Sequence, residues 1–159
     1  EDGPAAPVGP YGAAKRAMER RVAELAHAGG PQHLCLRIGN VAGADSLFAS
    51  LRRTPGAITL DRFPDGGGPV RSYIAAPDLA AALVVLARAA DVSGVLNVAA
   101  PRGTAMAAIV AAAGRQLAWR PAPDTALRSV VLCTDRLARH CPLSDTAASP
   151  AHLLAGAAA

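Results

Sequence analysis

A tyrosine and a lysine stand four residues apart near the beginning of the chain, at Tyr11 and Lys15. On a helix this spacing places both side chains on one face, one turn apart. A neighbouring ammonium favours the phenolate form of a tyrosine, which can then take a proton from a hydroxyl group or return one to a carbonyl. Hydride transfer to or from a nicotinamide requires such a proton transfer. The pair therefore predicts acid–base chemistry at Tyr11, with Lys15 as its activator.

The sequence around this pair predicts a helix with one apolar face. The segment 11–28 lies between a proline and a pair of glycines, as is typical of helix starts and ends. Its apolar stripe contains Met18, Val22 and Leu25, and extending the stripe backwards reaches the lysine and the tyrosine. We therefore expect this face to be buried. A structural alternative is a lysine that extends its ammonium to solvent beside a tyrosine at the edge of the core.

Further along the chain, strand-like and helical segments alternate, which is typical of an α/β fold with a mainly parallel sheet. Asp78 and Thr104 are predicted to cap the helices that they begin. The predicted strands are residues 33–41, 57–63, 70–75, 95–99 and 129–133, and the predicted helices are residues 45–53, 78–90, 104–117 and 134–140, with a last helical turn or two from Pro150.

Four blocks of the sequence resemble, in order and at compatible spacing, segments of the extended short-chain dehydrogenases of the NAD-dependent epimerase/dehydratase type. Any one of these short motifs is weak, and the four together are fairly specific. Residues 10–15 (PYGAAK) resemble PYGxSK, residues 36–43 (LRIGNVAG) resemble LRxxNVYG, residues 70–80 (VRSYIAAPDLA) resemble VRDYIHVxDLA, and residues 94–98 (GVLNV) resemble the GxxYNxG strand.

The resemblance implies a fold and a division of the chain. The fold is α/β, the C-terminal part of a Rossmann-like parallel sheet plus a small substrate-binding region. We expect residues 1–159 to form a single incomplete domain, with the Rossmann-like strands and helices in residues 1–44 and 70–100 and the substrate-binding region in residues 45–69 and 101–159. The implied cofactor is NAD or NADP, and the implied substrate is a small molecule, an activated sugar.

The resemblance also implies roles for single residues. Tyr11 would be the catalytic acid/base, and Lys15 would activate it and hydrogen-bond the nicotinamide ribose, so both would also bind the cofactor. Asn40 would contact substrate just beyond a strand end, where open α/β sheets bind ligands. Arg71 would pair with a substrate diphosphate, which suits the fork of a guanidinium. The alternative for Arg71 is an arginine on the surface after a glycine turn.

The glycine-rich turn that holds a dinucleotide pyrophosphate is not found in this sequence. None of the fifteen glycines forms GxGxxG or GxxGxxG. In the family that the chain resembles, the fingerprint precedes the Tyr–Lys helix, so we expect it N-terminal to these residues, and we expect this chain alone to be inactive. The alternative function is a degenerate, non-catalytic Rossmann-like module for binding or interaction. The resemblance also implies that a homodimer through the Tyr–Lys helix is plausible.

Composition bears on the remaining functional classes. The net charge is +4, but aromatic residues make up only 3% and no basic run exceeds two residues, which disfavours nucleic-acid binding. No apolar run is long enough to span a membrane, and no signal-peptide pattern is present, so we expect a cytoplasmic protein. The spacing of Cys133, His140 and Cys141 matches no common zinc site, and we predict no metal.

Overall fold

The computed structural model describes residues 9–27 and 33–158; the glycine pair predicted to end the first helix lies outside these ranges. No helix in this part of the chain combines the length and apolarity that a membrane span requires. The helices are α1 (Pro10–His27), α2 (Ser46–Arg53), α3 (Ala76–Arg88), α4 (Met106–Ala112), α5 (Asp135–Ala138) and α6 (Pro150–Ala158), with a 3-10 turn at Asp145–Ala148. The strands are β1 (Leu34–Ile38), β2 (Asn40–Val41), β3 (Ile58–Arg62), β4 (Val70–Ile74), β5 (Gly94–Val98), β6 (Gly103–Ala105), β7 (Leu117–Pro121) and β8 (Ser129–Val130).

The strands pair mainly in parallel, which confirms the predicted α/β class. β1 pairs with β5, β2 with β4, β3 with β7 and β8 with β4, all in parallel register. β6 pairs antiparallel with β4. β6 and β8 both pair with Val70 and Arg71 of β4, so they lie on opposite sides of it. β2 lies on the side away from β6, and β4 is the strand to which most of this small sheet is attached.

The predicted strand at residues 33–41 is two strands with different partners. β1 follows β5 as far as Ile38, which pairs with Val98, and β2 then pairs Asn40 with Tyr73 of β4. Gly39 lies at the change of partner, where a Cβ atom would be 2.9 Å from the Ser72 carbonyl oxygen. A side chain at this position would push the two pairings apart, so the glycine lets the segment pass between β5 and β4.

β4 separates two buried clusters because neighbouring side chains on a strand point to opposite faces. Tyr73 belongs to a cluster with Phe48 of α2, Ile58 of β3 and residues of α4 and α6. Ile74 belongs to a second cluster with Leu96 of β5 and Leu86 of α3. Tyr73 and Ile74 are both fully buried, so each anchors β4 to a different layer.

Both predicted helix caps are wrong. The N-cap of α3 is Ala75, without a side-chain cap hydrogen bond, and Asp78 lies in the first turn, where it contacts His152 of α6 at 2.7 Å. Thr104 lies in β6, and its hydroxyl donates to the Ala148 carbonyl. In each case a tertiary partner takes the side chain that the local pattern assigned to the helix end.

The C-terminal part also contains a strand that the sequence did not predict. β7 begins at Leu117, where the predicted helix was expected to end, and α4 ends five residues earlier, at Ala112. Gly114 has a φ of +66°, a backbone conformation that stops the helix and suits glycine. The following residues pair in parallel with β3, a non-local partner that local periodicity does not reveal.

The expected burial of the apolar face of α1 is wrong for this chain. Met18 is 49% exposed and Leu25 is 45% exposed. In the described ranges, none of the buried clusters contains a residue of α1. The helix is instead attached to β1 by a bidentate ion pair between Arg37 and Glu19. Arg37 Nε donates to Glu19 Oε1 at 2.8 Å, and Arg37 Nη2 donates to Glu19 Oε2 at 2.7 Å.

A single arginine closes the C-terminal end of α2. The guanidinium of Arg115 donates to the backbone carbonyls of Leu51, Thr54 and Gly56. The last carbonyls of a helix lack partners within the helix, and a cation at that end also interacts favourably with the helix dipole. Arg115 therefore joins α2 to the turn before β7.

We expect Arg115→Met to lower the free energy of unfolding by about 1–3 kcal/mol, because it removes charged hydrogen bonds and leaves carbonyls unpaired. Chemical denaturation monitored by circular dichroism would measure the change. Arg53→Met, at an exposed position on the same helix, is the matched control and should change the value by less than about 0.5 kcal/mol. Equal effects of the two substitutions would contradict the role given to Arg115.

The attachment of α1 should depend on pH. The hydrogen bond from Arg37 lowers the pKa of Glu19 below its usual 4.5, so the stabilisation is present above that value and is lost as the pH falls through the lowered folded-state pKa. At pH 7 we expect Glu19→Gln to speed amide hydrogen exchange in α1 roughly fivefold, because it lowers the free energy of local opening by about 1 kcal/mol. The difference from the parent chain should vanish in acid.

The exposed pair Arg21–Glu24, on the same helix, supplies the control for this measurement. Its side chains are 70% and 63% exposed, so Glu24→Gln should leave exchange in α1 nearly unchanged. If Glu19→Gln behaves like Glu24→Gln at pH 7, the ion pair with Arg37 does not hold the helix.

Candidate functional site

Tyr11 and Lys15 lie in the first two turns of α1 and contact each other. The Lys15 Nζ atom is 5.6 Å from the centroid of the Tyr11 ring, a cation–π distance. Tyr11 is 77% exposed, and Lys15 is exposed as well. The two side chains are therefore in contact, and both are exposed to solvent.

Asn40 and Arg71, the predicted substrate residues, line one cavity of about 460 Å³. Asn40 comes from β2 and Arg71 from β4, and the parallel pairing of these strands brings them to the same region. Three hydroxyl side chains and an ion pair complete much of the polar wall. These residues are Ser46 and Ser50 of α2, Thr59 and Asp61 of β3, and Arg120 of β7.

The Arg71 guanidinium is held by backbone carbonyls. Nη1 donates to Val70 at 2.8 Å and to Arg128 at 3.1 Å, and Nη2 donates to Leu127 at 2.8 Å. A guanidinium has five N–H donors, so these three bonds leave donors for a ligand. Arg71 thus fixes the segment before β8 against β4 and also contributes to the cavity wall.

A second arginine of the cavity, Arg120, forms an ion pair with an aspartate. Arg120 Nε donates to Asp61 Oδ1 at 2.6 Å, across the paired strands β3 and β7. The two residues face each other in register, so the ion pair follows directly from the strand pairing. The sequence alone did not single out either residue, because β7 itself was not predicted.

Asp45 is a functional candidate that the sequence indicated only as the first residue of a predicted helix. Its Oδ1 accepts from the Phe48 backbone N–H at 2.9 Å, which caps α2. Its Oδ2 accepts from the Tyr73 hydroxyl at 2.9 Å and from Asn40 Nδ2 at 3.3 Å. The signal that could have found it is an aspartate that follows the candidate Asn40 by five residues and precedes a helix.

Burial governs the chemistry of Tyr73. Desolvation, and then the negative charge of Asp45, raise the pKa of its phenol above the usual 10, while a hydrogen bond from Asn40 acts in the opposite direction. Tyr73 therefore stays protonated and remains a hydrogen-bond donor. The fully buried ring is packed 6.1 Å from that of Phe48, centroid to centroid.

The Tyr11–Lys15 pair and the cavity are separate in this structure. Between described residues, no hydrogen bond or ion pair joins Tyr11 or Lys15 to Asn40 or Arg71. The path between them runs along α1 to Glu19, across the ion pair to Arg37 and along β1.

Asn97 holds a neighbouring segment against the sheet. It is buried at the end of β5, and its Nδ2 donates to the Cys133 carbonyl at 2.8 Å. Among the residues that the structure describes, no three His, Cys, Asp or Glu side chains are grouped as a metal site would require.

Comparison with known proteins places these observations in a family. Residues 1–99 match the NAD dependent epimerase/dehydratase family. No curated protein matches the chain. Among solved structures, the chain is similar to the UDP-glucose 4-epimerase of Thermus thermophilus in complex with NAD, with 24% identity and a TM-score of 0.71 over 98% of this chain and 56% of that one.

Two further structures give the same result. A dTDP-glucose 4,6-dehydratase from Bacillus anthracis, in complex with NAD, has 16% identity and a TM-score of 0.73 over 98% of this chain and 54% of that one. A short-chain dehydrogenase/reductase superfamily protein from Agrobacterium tumefaciens, with bound NAD, has 17% identity and a TM-score of 0.76 over 99% and 59%.

These structures share the Rossmann-like fold of the present chain, which spans a little over half of the length of each. At such identities the structural likeness concerns the fold, and the sequence match over residues 1–99 concerns the family. That match covers more than half of the chain, and the chain belongs to the NAD dependent epimerase/dehydratase family.

Proposed function

We propose that this chain supplies the catalytic pair and the substrate-binding region of an NAD(P)-dependent epimerase or dehydratase that acts on an activated sugar. Tyr11 is the acid/base and Lys15 its activator. The observation that carries the proposal is the contact of the Lys15 ammonium with the Tyr11 ring, 5.6 Å from its centroid, on an exposed face of α1.

The chemistry proposed for the pair is a proton transfer. Tyr11 Oη takes the proton of a sugar hydroxyl group while the carbon that carries this hydroxyl group becomes a carbonyl. In the reverse step Tyr11 returns the proton to the carbonyl oxygen. Lys15 stabilises the phenolate through its charge. When bound, the nicotinamide accepts or returns the hydride.

The exposed pair fits the nicotinamide ribose end of the cofactor. Lys15 offers N–H donors and Tyr11 a hydroxyl, and both are open to solvent on one helix face. The pyrophosphate end needs a glycine fingerprint, which this sequence does not contain. We therefore assign Tyr11 and Lys15 to the cofactor and leave the choice between NAD and NADP open.

The cavity lined by Asn40 and Arg71 is the proposed substrate site. Its hydroxyl groups, amide and arginines are the groups that recognise sugars and phosphates. Solved structures of similar fold include UDP-glucose and dTDP-glucose enzymes, which supports an activated sugar. In this proposal residues 1–44 and 70–100 form the Rossmann-like part, and residues 45–69 and 101–159 form the substrate-binding part.

We expect the chain alone to bind NADH with a Kd weaker than about 1 mM, because its sequence has no glycine fingerprint to hold the pyrophosphate. Isothermal calorimetry of the purified chain would measure this, with Lys15→Met and the neighbouring Arg16→Met as matched variants. Clear binding that Lys15→Met alone weakens would mean that the chain holds a cofactor without the fingerprint, and the account of the pyrophosphate site would be wrong.

The roles of Tyr11 and Lys15 are tested in a chimera. The segment of the Thermus thermophilus enzyme that precedes its match to this chain would be fused in front of it. We expect turnover of UDP-glucose, with kcat reduced at least 100-fold by Tyr11→Phe and by Lys15→Met, a typical effect of losing an acid/base, and unchanged by Arg16→Met. A folded chimera that binds NAD and UDP-glucose but stays inactive would favour the non-catalytic binding module.

A further inference from the structure

The Asp45 carboxylate determines which atom of Asn40 faces it. An ionised carboxylate only accepts hydrogen bonds. The side chain of Asn40 is 3.3 Å from Asp45 Oδ2, and its contacting atom must be the amide nitrogen, because two acceptors would repel each other. This assignment rests on the chemistry of the partner and holds although amide nitrogen and oxygen look alike in most structures.

Tyr73 reinforces the same orientation. Its only proton is donated to Asp45 Oδ2 at 2.9 Å, so its oxygen faces Asn40 as an acceptor. Burial raises the pKa of this phenol, so the proton stays in place, and the hydrogen bond from Asn40 acts on the same oxygen. Two acceptors, a carboxylate and a phenol oxygen, therefore draw the nitrogen of the Asn40 amide to one side.

We propose that Asp45 is a positioning residue that orients the amide of Asn40, so that Asn40 offers its Oδ1 atom to the cavity as an acceptor for a ligand hydroxyl. The ligand part rests on the proposed function, in which this cavity binds an activated sugar. Orientation of the amide itself depends only on the contacts around Asp45.

The same carboxylate also fixes the helix that forms the adjacent wall. Asp45 Oδ1 caps α2 through the Phe48 N–H, and α2 contributes Ser46 and Ser50 to the cavity. One side chain thus sets both an amide acceptor from β2 and hydroxyl groups from α2. Such a wall suits a ligand that carries several hydroxyl groups.

The test uses the side-chain amide signals of the ¹⁵N-labelled chain. Asn40 and Asn97 are the only asparagines, so Asn40→Asp identifies the Asn40 pair by its disappearance. Asp45→Asn keeps a good helix cap but places an amide donor against the amide of Asn40. We expect the Asn40 signals to move and their hydrogen exchange with water to accelerate at least tenfold, because the amide turns its nitrogen away.

Ser50→Ala is the matched control, since Ser50 lines the same cavity and its hydroxyl bonds only the Ser46 carbonyl in the same helix. It should leave the Asn40 signals nearly unchanged, and backbone amide dispersion would verify that each variant is folded. Asn40 signals that keep their position and exchange rate in folded Asp45→Asn would overturn the proposal.

Titration with UDP-glucose, followed in the same spectra, separates this proposal from the proposed function. Weakening of UDP-glucose binding by about tenfold in Asp45→Asn, the loss of one good hydrogen bond, supports both. If the parent chain does not bind UDP-glucose while Asp45→Asn still turns the Asn40 amide, the orienting role stands and the substrate assignment fails. Unchanged affinity together with an unchanged amide overturns the role of Asp45.

Discussion

The alternation of side chains along β4 is the constraint on which this structure depends. Tyr73 and Ile74 are neighbours in sequence, yet one is buried among α2, α4 and α6 and the other beneath α3 and β5. Burial of both fixes the register of β4, since a slip by one residue would exchange the two faces. β2, β6 and β8 all pair with this strand, so their positions follow from its register.

The register of β4 also fixes the positions of residues in and next to the candidate cavity. Arg71 and Tyr73 lie two residues apart on β4 and therefore point to the same side. Arg71 reaches the cavity wall, while Tyr73 is buried behind it and bonds the carboxylate that caps α2. A partly buried polar cluster of this kind rigidifies its surroundings only when its members are paired, and the Tyr73 hydroxyl and the half-buried Asp45 carboxylate both are.

The sequence predicted the α/β class and most elements because their apolar periodicity and the glycines and prolines at their ends are local signals. Spacing and family resemblance named four candidate site residues, which stay predictions; in the structure Lys15 contacts Tyr11, and Asn40 and Arg71 line one cavity. The sequence missed the pairing that is non-local. β7 is a strand because it pairs with β3. Asp78 hydrogen-bonds His152 of α6 and does not cap a helix. Asp45 is a functional candidate because its carboxylate accepts a hydrogen bond from Tyr73, 28 residues later in the chain. The exposure of Met18 and Leu25 was missed for a related reason, since a helical stripe indicates an apolar face without indicating what covers it.

The bonds of Arg115 have a consequence for the order of folding. They join the end of α2 to a residue 64 positions later, and the parallel pairing of β3 with β7 spans a similar distance. Closing such long loops costs chain entropy before their contacts repay it, so contacts of this kind tend to form late. Thr59, Asp61 and Arg120 of the cavity wall lie on these two strands. A ligand that binds this wall would bind the folded chain and not the unfolded one, and would therefore raise the free energy of unfolding.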